Sequence, residues 1–229
     1  MKQYTRIKAV IDLDAIKENM EQMRANLKEG AQMIAVVKTD GYGHGAGPIA
    51  RMMEQMDYVW GYAVATVEEG VLLRKEGVKK PILCLGGIFP EQMDEVLDNQ
   101  IRMNVYDYHM AEIMSEKAVS RGEKAPVHVK IDTGMSRLGF PVSEESVEEI
   151  QKIAALPGLK MEGLFTHFSK ADEYDKQPTR EQAEGYMWMK EQLQEKGVTF
   201  TDYHCSNSAG ILDMPEVNMD LVRAGIAMY

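Results

Sequence analysis

Cysteine is nearly missing from this sequence: Cys84 and Cys205 are the only two among 229 residues, and they stand far apart. No disulfide framework and no redox spacing follow, and a reducing cytoplasm is the expected compartment. Positive charge is also short, since 26 Lys and Arg against 36 Asp and Glu leave a formal net charge of -10. Binders of nucleic acid or of anionic membranes need a basic field, so neither partner is expected. No apolar run is long enough to span a bilayer, and the N-terminal MKQYTRIKAV lacks the apolar stretch of a signal peptide. His, Cys and acidic residues show no metal-ligand spacing. No low-complexity linker divides the chain either, so residues 1–229 are expected to form one domain.

What is present is alternation. Short apolar, β-branched runs predict strands at residues 33–37, 58–64, 81–85, 101–105, 127–131, 161–166, 199–204 and 219–222. Amphipathic runs predict helices between them at 47–55, 67–75, 91–99, 111–121, 143–155 and 179–196. Eight evenly spaced strands predict an α/β fold, a parallel (β/α)₈ barrel of the TIM type. A doubly wound open sheet fits the same pattern less well. The stretch 13–27 fills the helical place that the count leaves open, and 5–11 reads as an extra strand outside the barrel.

In a barrel the residues just after each strand gather on one face. Lys38 ends the first strand in AVVKTDGYGHG, Arg137 follows the fifth in KIDTGMSRLGF, and His167 ends the sixth in LFTHFSKADE. Asn207 and Ser208 follow the seventh in HCSNSAG, and Arg223, Gly225 and Ile226 end the eighth. Desolvation at the end of a buried strand eases the loss of an ammonium proton, and a neutral amine attacks aldehydes to give a Schiff base. Taken alone, Lys38 reads more plainly as a lysine reaching for solvent. Ser208 and the amides of Gly225 and Ile226 change that, because loops after the last two strands form the usual phosphate corner of this fold. A lysine for an aldehyde and a cup for a phosphate describe pyridoxal 5′-phosphate (PLP).

With those five segments in order, the sequence resembles the N-terminal barrel of the alanine racemase family, including its serine racemase members, over essentially the whole chain. The resemblance implies that Lys38 carries PLP as a Schiff base and acts as one catalytic base. It implies that Tyr42, Ser208, Gly225 and Ile226 bind the phosphate, with Asn207 beside them. Arg223 would donate to the pyridine nitrogen, Arg137 would meet the cofactor oxygen and the substrate carboxylate as a second catalytic residue, and His167 would pack beside the ring. Lys130, seven residues before Arg137, would be carbamylated. A guanidinium only donates, so Arg223 cannot protonate the ring nitrogen, which favours racemisation over transamination. A barrel-fold decarboxylase would need an acid at that place. The implied reaction converts L-alanine to D-alanine for cell-wall peptidoglycan precursors, with serine as the other substrate choice.

Racemisation needs a base on each face of Cα. In the family the second is a tyrosine of a β-rich C-terminal domain, supplied across a homodimer. This sequence stops at Tyr229, so the expectation is a cofactor-binding part of a longer racemase, poorly active by itself. The alternative is a single-domain PLP homeostasis or carrier protein without catalysis. Such proteins lack the KTDGYGHG form and the DTGMSRLG arginine. The remaining histidines have blander readings: His109 exposed on a helix, His128 structural, His44 in the glycine loop, and His204 supporting Arg223 or merely packing.

Overall fold

The computed structural model describes residues 7–229 and turns the predicted alternation into a nearly closed ring of strands. These are β1 (Gln32–Val36), β2 (Val59–Val64), β3 (Ile82–Cys84), β4 (Ile101–Val105) and β5 (Ala125–Asp132). A two-residue return, β6 (Phe140–Pro141), pairs with the end of β5 and precedes β7 (Leu159–Phe165), β8 (Asp202–His204) and β9 (Leu221–Ala224). The ladders are parallel and run β8-β7-β5-β4-β3-β2-β1-β9. The seam between β8 and β9 is drawn together by the Arg223 amide donating to the Ser206 carbonyl at 3.0 Å. The Tyr203 amide adds a bond to the Asp220 carboxylate at 3.1 Å.

The helices open where the side chains supply caps. The hydroxyl of Thr66 accepts at the start of α4 (Val67–Lys75), and that of Ser143 at the start of α7 (Glu144–Ala154). Helices α3 (Ala46–Met53), α5 (Met93–Asp98), α6 (Tyr108–Ser120), α8 (Gln177–Glu195) and α9 (Ser208–Asp213) complete the outer ring. Helix α1 (Leu13–Arg24) is capped by Asp12 and buries Ile16, Met20 and Met23, spaced along one face. It packs against α3 and the turn Ile226–Met228, where Asn19 Nδ2 donates to the Met228 carbonyl at 3.2 Å. It therefore takes the eighth helical place, as its amphipathic pattern predicts.

Strand residues alternate between a helix-facing layer (Met33, Ala35, Tyr62, Val64, Ile82) and an axial cluster of Ile34, Val36, Ala63, Leu83 and Leu221. Both faces are buried, which is why these strands read as unbroken apolar runs. Truncating the fully buried Ile34 to Ala would cost about 2–5 kcal/mol. Across the axis the interior is polar instead: Asn104, His128, Lys130, His204 and Arg223 are all buried. In β7 the register slips, with Val127 opposite Met161 but His128 opposite Gly163, which leaves Glu162 as a bulged residue.

Two expectations need correction. The extra strand at 5–11 is not formed over residues 7–11, where Ile7 and Val10 are exposed; Thr5 and Arg6 lie outside the described residues. A strand exists only by pairing, and no strand of the sheet pairs with residues 7–11. The seventh predicted strand shortens to Asp202–His204, because Thr201 bonds back through its hydroxyl and amide to the Glu162 carbonyl.

Candidate active site

Lys38 stands two residues beyond β1 at the mouth of the barrel and opens α2 (Lys38–Tyr42), a helical turn of the wrong hand. Thr39 (φ 52, ψ 48), Asp40 (φ 53, ψ 50), Gly41 (φ 60, ψ 45) and Tyr42 (φ 51) are all left-handed. For an L-residue this costs roughly 1–2 kcal/mol, and only Gly41 escapes it. The turn holds two functional groups at its ends: Lys38 Nζ stands 5.7 Å from the Tyr42 ring centroid. Tyr42 in turn lies 5.0 Å from the ring of Tyr229, whose hydroxyl donates to the Val36 carbonyl at 2.9 Å.

Arg223 projects from β9 into the axis, fully buried, and has no carboxylate partner among the described residues. Nη2 donates to the carbonyls of Thr166 (2.7 Å) and Cys205 (2.8 Å), and Nη1 to that of His204 (3.3 Å). Nη1 also stands 2.8 Å from His204 Nδ1, and Nη2 3.4 Å from His167 Nδ1. No acceptor among the described residues takes Nε–H, and Arg223 lines the cavity, so this donor is the one left for a ligand. Burial brings the guanidinium down to about 10, still protonated at neutral pH.

Because arginine can only donate, His204 Nδ1 must accept and its proton must sit on Nε2. His204 Nε2 lies 3.0 Å from His128 Nδ1, so the His128 proton sits on Nε2 in turn. That nitrogen faces Glu162 Oε2 at 3.5 Å, the one loose link in the chain. Burial alone would raise the Glu162 carboxyl, but the contacts from His128 and Arg102 (2.9 Å) outweigh it and hold it at about 2. A Cβ at Gly163 would stand 2.2 Å from His128 Nδ1, so only glycine leaves room for this pairing.

Both site histidines are kept neutral. Burial first, and then Arg223, push His167 down to about 3 and His204 well below the usual imidazole value. Unfolded imidazoles take up protons below about pH 6.5, whereas these do not. The unfolded state therefore binds more protons between about pH 6.5 and 3, and stability falls as pH drops through that window. Each histidine contributes a slope of up to about 1.4 kcal/mol per pH unit. Thermal melting of the ligand-free protein between pH 7 and 4 is expected to show this, with a flatter profile for His204→Gln. An equally steep profile in that variant would rule out the assignment.

Opposite Lys38 the Ser208 hydroxyl oxygen accepts from the amides of Gly225 (3.0 Å) and Ala227 (3.2 Å). Its own proton is thereby left for an acceptor in the cavity. A Cβ on Gly225 would project to within 3.5 Å of Tyr42 Oη and 3.7 Å of Ser208 Oγ, so glycine keeps open a cradle bounded by two hydroxyls. The two hydroxyl protons could be donated to an anion such as a phosphate. Asn207 works one step removed: it caps α9 by accepting from Gly210 (3.1 Å) and donates to the Phe168 carbonyl (3.2 Å), which fixes Ser208.

All ten residues singled out from the sequence line one cavity of about 510 Å³ at the C-terminal ends of the strands: Lys38, Tyr42, Lys130, Arg137, His167, Asn207, Ser208, Arg223, Gly225 and Ile226. Arg137 is exposed on the loop after β5, where Asp132 accepts from Gly134 and Ser136. Lys130 is buried and donates to the Ile131 carbonyl at 2.6 Å; burial first, then Arg223, bring its amine down to about 7. The sequence reading passed over Asn104, which lines the cavity and whose Oδ1 is buried without a partner. An asparagine inside the apolar run IRMNV was the available signal. Asp172, in the quoted segment THFSKADE, also lines the cavity and was not assigned. Both cysteines are buried and free, and burial pushes their thiols up to about 11 and about 12, away from nucleophilic use. Among the described residues no cluster could hold a metal ion.

The fold and the cavity define a parallel α/β barrel with an amine, a donor-only guanidinium and a two-hydroxyl cradle at its C-terminal mouth. Comparison with known proteins narrows the class. The family described as "Alanine racemase, N-terminal domain" matches residues 11–229. The alanine racemase of Desulforamulus reducens is 43% identical over 221 residues, covering 96% of this chain and 60% of its own length. That of Clostridium tetani is 41% identical, with 96% and 57% covered. Among solved structures, alanine racemase of Clostridium difficile 630 in complex with cycloserine has a TM-score of 0.93 at 43% identity, covering 96% of this chain and 60% of that one. The enzyme of E. faecalis reaches 0.88 at 33% identity. The chain belongs to the alanine racemase family, and it spans about 60% of the length of these relatives.

Proposed function

We propose that this chain is the cofactor-binding barrel of an alanine racemase and that its cavity holds PLP. The observation that carries the reading is the meeting of Lys38, Arg223 and the Ser208–Gly225 cradle in one cavity. When bound, PLP supplies an electron-accepting ring that loosens the Cα proton of an attached amino acid. Lys38 would hold the aldehyde through its amine and would move a proton to and from Cα on one face. Tyr42, the Ser208 hydroxyl and the Ile226 amide would bind the phosphate in the space that Gly225 leaves open, while Asn207 holds Ser208 in place. Arg223 offers Nε–H to the ring nitrogen and remains charged, so it never passes a proton to the ring. That restrains electron withdrawal and suits the return of the proton to Cα. His167, being neutral, packs beside the ring without adding charge. Arg137 meets the carboxylate of alanine.

In this reading the working unit is a cytoplasmic homodimer, and D-alanine serves peptidoglycan synthesis. Among the described residues, no helix is long and apolar enough to cross a membrane. The carrier alternative draws no support from the relatives, which bear the name alanine racemase. The discriminating experiment follows the Cα proton of L-alanine by NMR in heavy water, with PLP-loaded protein that includes the relatives' full length. Loss of that signal with appearance of D-alanine is expected; an intact signal would favour the carrier.

Lys130 is proposed to be carbamylated. With the amine at about 7, roughly half is unprotonated at neutral pH, and on leaving the Ile131 carbonyl it can add carbon dioxide with release of one proton. The anion formed stands near Arg223 and Arg137, which otherwise crowd a third positive charge. The modification is expected to build above pH 7 and fade below it, as protonation removes the reactive amine. Carbon-13 NMR with labelled bicarbonate tests this: a carbamate signal that vanishes in Lys130→Ala supports it, and no signal in the wild type at pH 8 refutes it.

A further inference from the structure

We propose that Glu69 is a positioning residue for Lys38 and Tyr42, because it grips the left-handed turn that carries both. From the sequence, Thr66-Val-Glu-Glu69 has the form of a capping box, in which Glu69 would turn back onto the Thr66 amide. Its carboxylate does something else. Oε1 accepts from the amide of Thr39 at 2.7 Å, and Oε2 accepts from the amide of Ala65 at 2.8 Å. One side chain thereby ties the loop after β1 to the loop after β2. The amide it holds belongs to the peptide joining Lys38 to Thr39.

The turn supplies its own later bonds, from Gly41 to Val37 (2.8 Å) and from Gly43 to Thr39 (3.0 Å). Asp40 closes its far end through the Ala46 amide at 2.8 Å. The Thr39 amide has no acceptor inside the turn, as with any first-turn amide. It also belongs to a β-branched residue at φ 52, the least comfortable place in the segment. Removing the grip frees Thr39 to return to right-handed or extended backbone. Lys38 and Tyr42 then lose their fixed spacing together, although neither has been altered. Glu69 touches neither of them, and it does not line the cavity.

The test has two arms. The first uses the ligand-free protein and amide hydrogen exchange, so it is independent of the proposed cofactor. Hydrogen bonds to a charged acceptor are among the stronger ones, so Glu69→Ala is expected to speed exchange at Thr39 roughly ten- to a hundredfold. Amides of α8 should stay protected. In Glu69→Gln one carboxamide oxygen serves one amide only, so exchange rises at Thr39 or at Ala65. Should Glu69→Ala fail to fold by circular dichroism, the glutamine variant carries this arm. The second arm rests on the proposed PLP reading and measures PLP affinity and the rate at which borohydride traps it. Both are expected to fall about tenfold in Glu69→Ala, while Glu68→Gln, altering the exposed neighbour, changes neither. Exchange at Thr39 and Ala65 within twofold of wild type in a folded variant overturns the grip. Faster exchange with unchanged trapping and affinity overturns the positioning role and leaves only a local tether. No trapping even in the wild type would instead count against the PLP reading.

Discussion

Borohydride reduction of the PLP-loaded protein is expected to leave the pyridoxyl group on Lys38, and Lys38→Ala is expected to lower the trapped label to background. The prediction has a real competitor in the same cavity. Lys130 has its amine brought down to about 7, which makes it a candidate nucleophile at neutral pH. Its Nζ, however, is bound to the Ile131 carbonyl at 2.6 Å and is almost wholly buried. Lys38 is partly exposed, stands beside Tyr42, and has no hydrogen-bond partner among the described residues. Reach and freedom therefore favour Lys38. Peptide mass mapping decides between them. Label on Lys130 with Lys38 free would refute the assignment, whereas Lys130→Ala is expected to keep nearly full labelling. Because a Schiff base requires the amine itself, Lys38→Ala should also lose any alanine turnover that depends on it, a drop of several orders of magnitude.

The strands and most helices were legible because burial on both faces leaves a signature in the sequence: apolar runs broken by capping residues such as Thr66 and Ser143. The cavity residues were legible for a related reason. Lys38, Arg137, His167 and Arg223 interrupt or end apolar runs, and the barrel fold gathers strand ends at one mouth. What escaped depends on separation in space. His128 and His204 lie in different strands, and nothing local marks their contact at 3.0 Å or the bulge that presents Glu162 to it. The glycines of KTDGYGHG announce a tight turn, but left-handed Thr39 and Asp40 cannot be read from residue types that usually avoid that region. Likewise the capping-box pattern at Thr66 gives Glu69 a local role, and only the fold shows its two amide partners lying elsewhere. Helix α9 went unseen because six residues are too few to show a period.

The 229-residue polypeptide expressed by itself and saturated with PLP is expected to retain the cofactor yet interconvert the alanine enantiomers slowly. Lys38, Tyr42, the Ser208 cradle and Arg223 all lie within it, so much of the binding is local. A second acid–base group for the other face of Cα is harder to find among the described residues. His167, held at about 3 by burial and Arg223, is almost never protonated at neutral pH. Tyr229 has its phenol raised by burial and bound to Val36, and Tyr42 is raised as well. Lys130 is brought down to about 7, and its amine is committed to the Ile131 carbonyl. None of these groups is poised to serve the other face, so the proposed reaction would draw its second base from outside these described residues. Lack of one positioned acid–base group typically lowers rates on the order of 10²–10⁴. A circular-dichroism assay should show that gap between this polypeptide and a version covering the relatives' full length. Equal turnover would mean that a residue of the barrel supplies the second proton, and Lys130→Ala would then be the first variant to examine.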